Sequence, residues 1–203
     1  MSLFAQGAAW MDGQVIPIGE AKISVMDWGV TRSDITYDVV PVIDGAFFRL
    51  PDYLDRFEAS MQAAHFDVGM TIQDIESALQ AMVGATMLRD AYCAMVAARG
   101  TPQKPGTRDP RYCNNHFYAW VVPYVHVIQP EVQQQGASAW VARDVRRIPP
   151  GSVNPHIKNY HWGDFTAGLF EAKEAGYDTV LLCDYEGNLF EGPGFNIFAV
   201  NQG

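Results

Sequence analysis

The sequence predicts an α/β fold made of two domains, and three observations support this prediction. Asp-Gly pairs stand between apolar runs at 12–13 and 44–45, which is typical of β-hairpins because both central residues of a type I′ turn need positive φ. Apolar residues recur at helical spacing in two later segments, which begin near Pro51 and Thr71. A polar stretch then precedes a second series of strand and helix signals.

The elements of the first domain follow in chain order. Short strands flank each Asp-Gly turn. Pro51 suits the first turn of a helix, and Thr71 with Asp74 forms a weak variant of the capping box that starts a second helix. The predicted elements are strands 9–11, 14–16, 36–43 and 46–49, helices from Pro51 and Thr71, strands 92–98 and 116–127, and a mobile loop over 100–110.

The second domain follows the polar stretch. We predict a strand over 138–143, a helix from about Asn159 to Ala175, and a hairpin that joins 179–184 to 195–200. Because so few elements cannot close a core of their own, we also expect a C-terminal part to be missing. The predicted boundaries are 1–122 for a small N-terminal domain, 123–136 for a linker and 137–203 for the incomplete second domain.

The composition argues against nucleic acid and membranes as partners. The 203 residues include 14 Lys and Arg against 23 Asp and Glu, a formal net charge of −9, whereas sequence-independent nucleic-acid binding depends on basic residues that neutralise phosphates. No apolar run reaches membrane-spanning length and no secretory leader is recognisable. The cysteines at 93, 113 and 183 and the five histidines show no metal-ligand spacing. We therefore expect a cytoplasmic protein with reduced core thiols and no metal site.

Three residues could carry chemistry, and each also has an ordinary structural interpretation. Lys158 lies among aromatic residues, where desolvation can make an amine nucleophilic towards carbonyls, or it is a surface lysine. Glu191 precedes a Gly-Pro-Gly turn that could present its carboxylate to a heteroaromatic nitrogen, or it is an exposed hairpin residue. Arg56, on the first long helix, could bind phosphate or be solvated. Taken one at a time, the structural interpretations are the better ones.

Taken together, the segments around these residues resemble a known family. Val145–Gly151 and His156–Asn159, followed by Glu191–Ile197, are similar to the signature of fold-type IV pyridoxal-phosphate enzymes, the branched-chain and D-amino-acid aminotransferase class. Arg32–Val39 and Phe47–Arg56 resemble the same family, and more narrowly its (R)-selective amine transaminases. The match runs in the same order over most of the chain. The resemblance implies the two-domain fold of D-amino-acid aminotransferase, a large second domain that binds the cofactor, and a homodimer.

The resemblance also implies roles for individual residues, with pyridoxal 5′-phosphate as the cofactor. Lys158 would form the Schiff base and move the proton between the substrate carbon and the cofactor. Glu191 would keep the pyridine nitrogen protonated, so that the ring accepts electrons, and Arg56 would anchor the phosphate. The implied cofactor-binding residues are Arg56, Lys158, Glu191 and Asn196, and the implied substrate-binding residues are Arg32, Tyr37, Val39 and Arg108.

The expected substrate depends on the loop after Gly100. Relatives that use D-amino acids carry an Arg-x-His pair there, and this chain has Thr101–Pro105 instead, so that carboxylate trap is absent. Arg108 resembles a loop arginine of the amine transaminases that turns inward for a keto acid and outward for an apolar amine. A solvated loop charge is an equally good interpretation. Arg32 stands where those enzymes often have histidine, which leaves the subtype open.

The predicted function is that of a pyridoxal-phosphate-dependent transaminase. It would move an amino group between an amine or amino acid and a 2-oxo acid. The expected donor is an (R)-amine or a D-amino acid, and a branched-chain amino acid is the alternative. Two other functions stay open: a lyase of the aminodeoxychorismate type, which uses the same lysine, and a non-catalytic subunit that keeps the fold.

Overall fold

The computed structural model describes residues 3–201, which form two compact units. The first contains the residues up to Val125 together with His156–Tyr160, and the second contains His126–Pro155 together with the residues from His161 onward. The segment His156–Tyr160, which the sequence places in the second domain, therefore belongs to the first unit by its contacts. Each unit has its own sheet and its own apolar core.

An antiparallel sheet of six strands forms the centre of the first unit. From one edge to the other, the strands stand in the order 2-1-6-5-3-4, so that the chain visits the middle of the sheet last. The strands are β1 (Ala8–Met11), β2 (Gln14–Pro17), β3 (Ile35–Ile43), β4 (Ala46–Phe47), β5 (Ala91–Ala98) and β6 (His116–Pro123). The predicted strand over 116–127 ends early, at a proline that has no N–H to continue a ladder.

Both predicted hairpins are confirmed. Asp12 and Gly13 have φ of 50° and 83° between β1 and β2, and Asp44 and Gly45 have φ of 52° and 83° between β3 and β4. Positive φ at both central positions is the requirement of a type I′ turn. The local sequence therefore sets the register of these four strands, which are paired directly across the turns.

One face of this sheet carries two long helices. A short helix, α1 (Trp28–Arg32), precedes β3, and α2 (Leu50–Ala63) and α3 (Ile72–Ala85) follow β4. The Thr71 and Asp74 capping box predicted for α3 is present, with each side chain accepting the other residue's backbone N–H. Buried Phe57 and Leu79 pack from the helices against the inward-facing residues of the sheet, and together they form the main core.

The outer edge of β3 is only partly covered by another strand. β4 pairs with its last two residues, and the segment His156–Tyr160 lies beside its earlier part, where the Tyr37 N–H donates to the Lys158 carbonyl at 3.2 Å. This contact explains why the start predicted for the next helix is wrong. The helix expected from Asn159 begins at Gly163 instead, because the chain before it is engaged along β3.

The second unit is a smaller three-stranded sheet with one helix packed on it. Its elements are α4 (Pro130–Gln135), which falls inside the predicted linker, β7 (Ala139–Arg146), α5 (Gly163–Glu174), β8 (Thr179–Cys183) and β9 (Leu189–Glu191). β7 and β8 are parallel, and β9 is antiparallel to β8. Phe165 and Ala172 of α5 pack against Val180 and Leu182 of β8. Among residues 3–201, no helix is long and apolar enough to cross a membrane.

The predicted strand over 195–200 is wrong. The strand that pairs with β8 is β9, and residues 196–201 have no regular secondary structure. Gly192 forms an isolated bridge with Phe195, because the chain reverses through the intervening Pro193 and Gly194. The Gly-Pro-Gly turn therefore ends β9 and does not start a further strand.

Candidate active site

Lys158 is held against β3 through its own backbone. Its carbonyl oxygen accepts hydrogen bonds from the Thr36 hydroxyl at 2.9 Å and from the Tyr37 N–H at 3.2 Å. Its Nζ lies 4.9 Å from the centroid of the Tyr37 ring, a distance at which an ammonium is attracted to the ring face. The buried strand thus fixes the main chain of this lysine, and the amine extends over an aromatic side chain.

Arg56 reaches the same strand from α2. Its Nε and Nη2 donate to the two carboxylate oxygens of Asp38 at 2.7 Å and 2.6 Å. The Asp38 side chain is 1% exposed, whereas that of Arg56 is 53% exposed. The hydrogen bond with Asp38 raises the pKa of Arg56 and outweighs the opposing effect of burial. The guanidinium is therefore permanently charged, and one edge of it is anchored.

Two successive outward-facing N–H groups of β3 donate hydrogen bonds, one to Lys158 and the next to Asp38. The Tyr37 N–H donates to Lys158, and the Val39 N–H donates to Asp38 Oδ1 at 2.7 Å. Alternate residues of a strand are about 7 Å apart. The main chain of Lys158 and the carboxylate that holds Arg56 are thus anchored at neighbouring positions of β3, within the first unit.

A cluster of tyrosines lies beside the lysine. The Tyr37 and Tyr160 ring centroids are 4.2 Å apart. Burial raises the pKa of Tyr160, and the neighbouring hydroxyls of Tyr118, Tyr37 and Tyr92 raise it further. Burial also raises the pKa of Tyr118, to about 12. Near neutral pH these two phenols stay protonated, so each can donate a hydrogen bond.

The strand residues around Tyr37 and Val39 are apolar or aromatic. Across the sheet, Tyr37 is opposite Val96, which is opposite Tyr118 on the next strand. Val39 is opposite Ala94, which is opposite Trp120. Because strand residues that face each other share one side of the sheet, these six form a continuous surface. This aromatic face, made of Tyr37, Val39, Ala94, Val96, Tyr118 and Trp120, carries no charged side chain.

In the second unit, Glu191 is fixed by a buried arginine. Arg147 Nε donates to Glu191 Oε1 at 2.7 Å, and its Nη1 donates to Asp164 Oδ2 at 2.6 Å. Burial lowers the pKa of Arg147, but the hydrogen bonds and charges of the two carboxylates outweigh it, and the net pKa lies above its ordinary value. The Glu191 side chain remains 38% exposed. It is thus an oriented carboxylate that can still be reached.

The turn after Glu191 depends on its glycines. A Cβ on Gly192 would lie 2.2 Å from the Phe195 ring, and Gly194 has a φ of 82°. Larger residues would therefore clash or be strained at these positions. Asn196 follows the turn, exposed and outside any strand.

The remaining predicted residues lie elsewhere. The Arg32 guanidinium carbon is 3.3 Å from the centroid of the Trp28 ring, at the end of α1. Arg108 is exposed in the loop between β5 and β6. Cys93 and Cys183 are buried, but Cys113 is half-buried and is not a core thiol as predicted. Within the described part of the chain, no three His, Cys, Asp or Glu side chains are grouped so that they could hold a metal ion.

Four supporting residues were not recognised in the sequence. Thr36, Asp38 and Arg147 each make a hydrogen bond that positions a candidate residue, and Asp164 in turn holds Arg147. Asp38 had a detectable signal, since it alternates with buried Thr36 and Val40 and an acid on the inward face of a strand needs a partner. Arg147 had no such signal, because it stands in a short basic cluster of the kind that is normally solvated.

Comparison with known proteins now decides the family. Residues 36–203 match the sequence model of the family described as Amino-transferase class IV. The chain belongs to the class IV aminotransferases. This class IV chain is 28% identical over 195 residues to a putative branched-chain-amino-acid aminotransferase of Methanocaldococcus jannaschii, and the match covers 96% of this chain and 65% of that protein. It is also 23% identical over 201 residues to the branched-chain-amino-acid aminotransferase of Salmonella typhimurium, with 96% and 64% covered.

Solved structures agree on the fold of this class IV chain. The Thermoproteus uzoniensis branched-chain aminotransferase with norvaline superimposes with a TM-score of 0.77 at 22% identity, over 93% of this chain and 63% of that one. The Thermobaculum terrenum branched-chain amino acid aminotransferase in its holo-form with pyridoxal phosphate gives a TM-score of 0.74 at 22% identity, over 93% and 62%. The chain therefore has a fold-type IV fold and spans a little under two thirds of the length of these relatives.

Proposed function

We propose that the protein is a pyridoxal-phosphate-dependent transaminase, which moves an amino group from an amine or amino acid to a 2-oxo acid. The observation that carries this proposal is that β3 anchors both groups: the Tyr37 N–H binds the Lys158 carbonyl, and the adjacent Asp38 carboxylate holds the Arg56 guanidinium. Membership of the class IV family and relatives named as aminotransferases support the same conclusion.

The two groups that β3 anchors fit pyridoxal 5′-phosphate. The aldehyde and the phosphate arm of this cofactor are carried by neighbouring carbons of one pyridine ring, so one small molecule can meet both an amine and a guanidinium. Lys158 would bind the aldehyde carbon, and Arg56 would bind the phosphate oxygens. From the family resemblance we assign the pyridine nitrogen to Glu191 and a further cofactor contact to Asn196. The two-domain boundaries and the homodimer stay proposals of the same kind.

When bound, the cofactor supplies an electron-accepting ring that stabilises negative charge on the substrate carbon. The Lys158 amine would take the proton from that carbon and deliver it to the cofactor, a general acid–base role. Tyr160, whose ring packs on Tyr37, keeps its hydroxyl protonated and so remains a hydrogen-bond donor. Glu191 would keep a proton on the pyridine nitrogen, since Arg147, which is itself held by Asp164, orients the Glu191 carboxylate.

The aromatic face favours an amino donor with an apolar substituent. Three of its six residues, Val39, Tyr118 and Trp120, are partly exposed, and they offer aromatic and aliphatic contacts. The apolar contacts favour an (R)-amine, and the D-amino acid stays in the proposal on the family resemblance alone. Also on resemblance, we assign the carboxylate of the 2-oxo acid to exposed Arg108. We place Arg32 at the edge of the substrate site only on resemblance. The relatives' names favour the alternative, a branched-chain amino acid.

The first experiment is a visible absorption spectrum of the protein, expressed from its complete natural gene, with added pyridoxal phosphate. Borohydride reduction and peptide mapping follow. We expect a chromophore that borohydride bleaches and that leaves the reduced cofactor on Lys158. Lys158→Ala should give no trapped peptide, and Lys173→Ala, which changes an exposed lysine of α5, should behave like the wild type. Cofactor trapped on another lysine, or none at all, would overturn the proposal.

A donor screen then tests the substrate class. (R)-1-Phenylethylamine, D-alanine and L-leucine are each offered with pyruvate or 2-oxoglutarate, and the amino acid formed is measured. Turnover of the first two supports the proposed donor class, and turnover of L-leucine alone supports the branched-chain alternative. Pyruvate released from an aminated chorismate, without transamination, would instead show a lyase. A trapped cofactor without any turnover would show a non-catalytic subunit.

A further inference from the structure

We propose that Asp38 is a positioning residue for phosphate recognition, which holds the Arg56 guanidinium in the one orientation that leaves a two-nitrogen edge open to the phosphate arm. This inference rests on the proposed function. It adds a residue that touches neither the cofactor nor the substrate and acts only through Arg56.

The geometry of the guanidinium shows which edge is used and which is left. Arginine has five N–H groups arranged around a planar fork. In Arg56, Nε–H and one N–H of Nη2 donate to the two oxygens of Asp38. The remaining three belong to Nη1 and to the outer side of Nη2. These two nitrogens form the second fork of the group, and a phosphate can accept two parallel hydrogen bonds from it.

Burial of Asp38 makes this orientation obligatory. Its side chain is 1% exposed, and a buried carboxylate needs both a counter-charge and hydrogen bonds. The Val39 N–H supplies one hydrogen bond to Oδ1, but Arg56 supplies the charge and the other two. If Arg56 turned its Nε and Nη2 edge away from Asp38 and towards a ligand, the buried Asp38 carboxylate would keep only the Val39 N–H as a donor. The side chain of Arg56 is therefore fixed before any ligand arrives.

More than half of the Arg56 side chain stays exposed although Asp38 and Tyr53 both contact it. The guanidinium carbon lies 5.1 Å from the Tyr53 ring centroid, one turn earlier on α2, and the side chain as a whole is 53% exposed. The rotamer is thus limited by Asp38 and Tyr53, and the exposed part is what a phosphate could reach. A preformed fork loses little conformational entropy on binding, which raises affinity.

The test separates recognition of phosphate from recognition of the pyridine ring. Apo-protein made from the complete gene is titrated with pyridoxal phosphate and, separately, with pyridoxal, which lacks the phosphate. The dissociation constants come from the chromophore formed on Lys158. The variants are Asp38→Asn, which keeps the shape and the acceptor for the Val39 N–H, Arg56→Gln, and the double variant. Asp55→Asn is the matched control, because it removes an equal charge from the exposed neighbour of Arg56.

We expect Asp38→Asn to raise the dissociation constant for pyridoxal phosphate about tenfold and to leave that for pyridoxal unchanged within about twofold. The ratio of the dissociation constant for pyridoxal to that for pyridoxal phosphate measures the contribution of the phosphate. In the Arg56→Gln background, Asp38→Asn should not change this ratio further, because Asp38 acts only through the arginine. Asp55→Asn should keep the wild-type ratio. A general loss of folding would weaken the binding of both ligands, so it could not produce these results together.

Two results would overturn the inference. In the first, Asp38→Asn weakens pyridoxal and pyridoxal phosphate equally, which would make Asp38 a structural residue only. In the second, the ratio keeps its wild-type value in Asp38→Asn while Arg56→Gln lowers it, so that Arg56 needs no partner. Both leave the proposed function intact, since the wild-type chromophore on Lys158 remains. Absence of that chromophore in the wild type would instead overturn the proposed function, and this inference with it.

Discussion

Replacement of Arg147 by methionine should destabilise the second unit strongly. Arg147 lies between Asp164 and Glu191, and its guanidinium carbon is 4.3 Å from the Phe165 ring centroid. Methionine has a similar length and can keep the contact with the ring. The substitution therefore removes the positive charge and its hydrogen bonds while it retains most of the packing.

The magnitude follows from the exposure of the three side chains. Arg147 and Asp164 are 10% and 13% exposed, whereas Glu191 is 38% exposed. Removal of one partner from a buried ion pair costs about 3–5 kcal/mol, because the other charge stays buried. Exposed pairs contribute about 0–1 kcal/mol. Asp164 keeps the N–H groups of Ile148 and Phe165 as donors, so we expect the low end, about 3 kcal/mol, almost all of it from Asp164.

Hydrogen exchange of the amides in α5, measured by mass spectrometry at pH 7, reads this loss directly. A decrease of about 3 kcal/mol in the opening free energy corresponds to exchange roughly 100-fold faster. Arg143→Met is the matched control in β7, where an exposed arginine stacks on Trp140 at 4.7 Å, and it should cost less than about 1 kcal/mol. If Arg147→Met exchanged no faster than Arg143→Met, the ion-pair network would not stabilise this unit.

Three further predictions use other parts of the first unit. Gly100→Ala should lower the free energy of unfolding in urea by at least about 2 kcal/mol more than Gly106→Ala does. Both glycines have positive φ, but only at Gly100 would a Cβ lie close to a backbone oxygen, at 1.9 Å. Equal losses would contradict this prediction. Burial raises the pKa of Cys93 to about 12, so iodoacetamide at pH 8 should alkylate half-buried Cys113 well before Cys93 in the native protein; the reverse order would be inconsistent with the fold. Because the pKa of Tyr118 is raised to about 12 and unfolded tyrosine ionises near about pH 10, only the unfolded state loses this proton in that window. The free energy of unfolding should therefore fall by up to about 1.4 kcal/mol per pH unit between them, and Tyr118→Phe should remove that part of the slope; an unchanged slope would refute the assignment.

Local chemistry made several elements predictable. The Asp-Gly turns need positive φ at both positions, and this need does not depend on the rest of the fold. The capping box of Thr71 and Asp74 is satisfied by atoms three residues apart. The stripe that begins near Pro51 gave α2 to within a residue at its start. In each case the interactions that decide the structure lie within a few residues.

The wrong boundaries have a common physical cause. The helix expected from Asn159 starts four residues later, because the preceding chain hydrogen bonds with β3, far away in sequence. The strand expected over 195–200 was inferred from β-forming residues, but Gly192 and Gly194 let the chain reverse before them. Contacts that are distant along the chain overrode local preference in the first case, and a tight turn did so in the second.

The sequence by itself determined the family and named Lys158, Arg56 and Glu191 as candidates, because the order and spacing of their motifs can be read without a fold. Only the tertiary structure decided what holds them. Thr36 and Lys158 are 122 residues apart, Arg147 and Glu191 are 44 apart, and Asp38 and Arg56 are 18 apart. A buried polar group takes whichever partner the packed elements bring to it. That partner depends on how strands and helices meet, and no local pattern of residues records it.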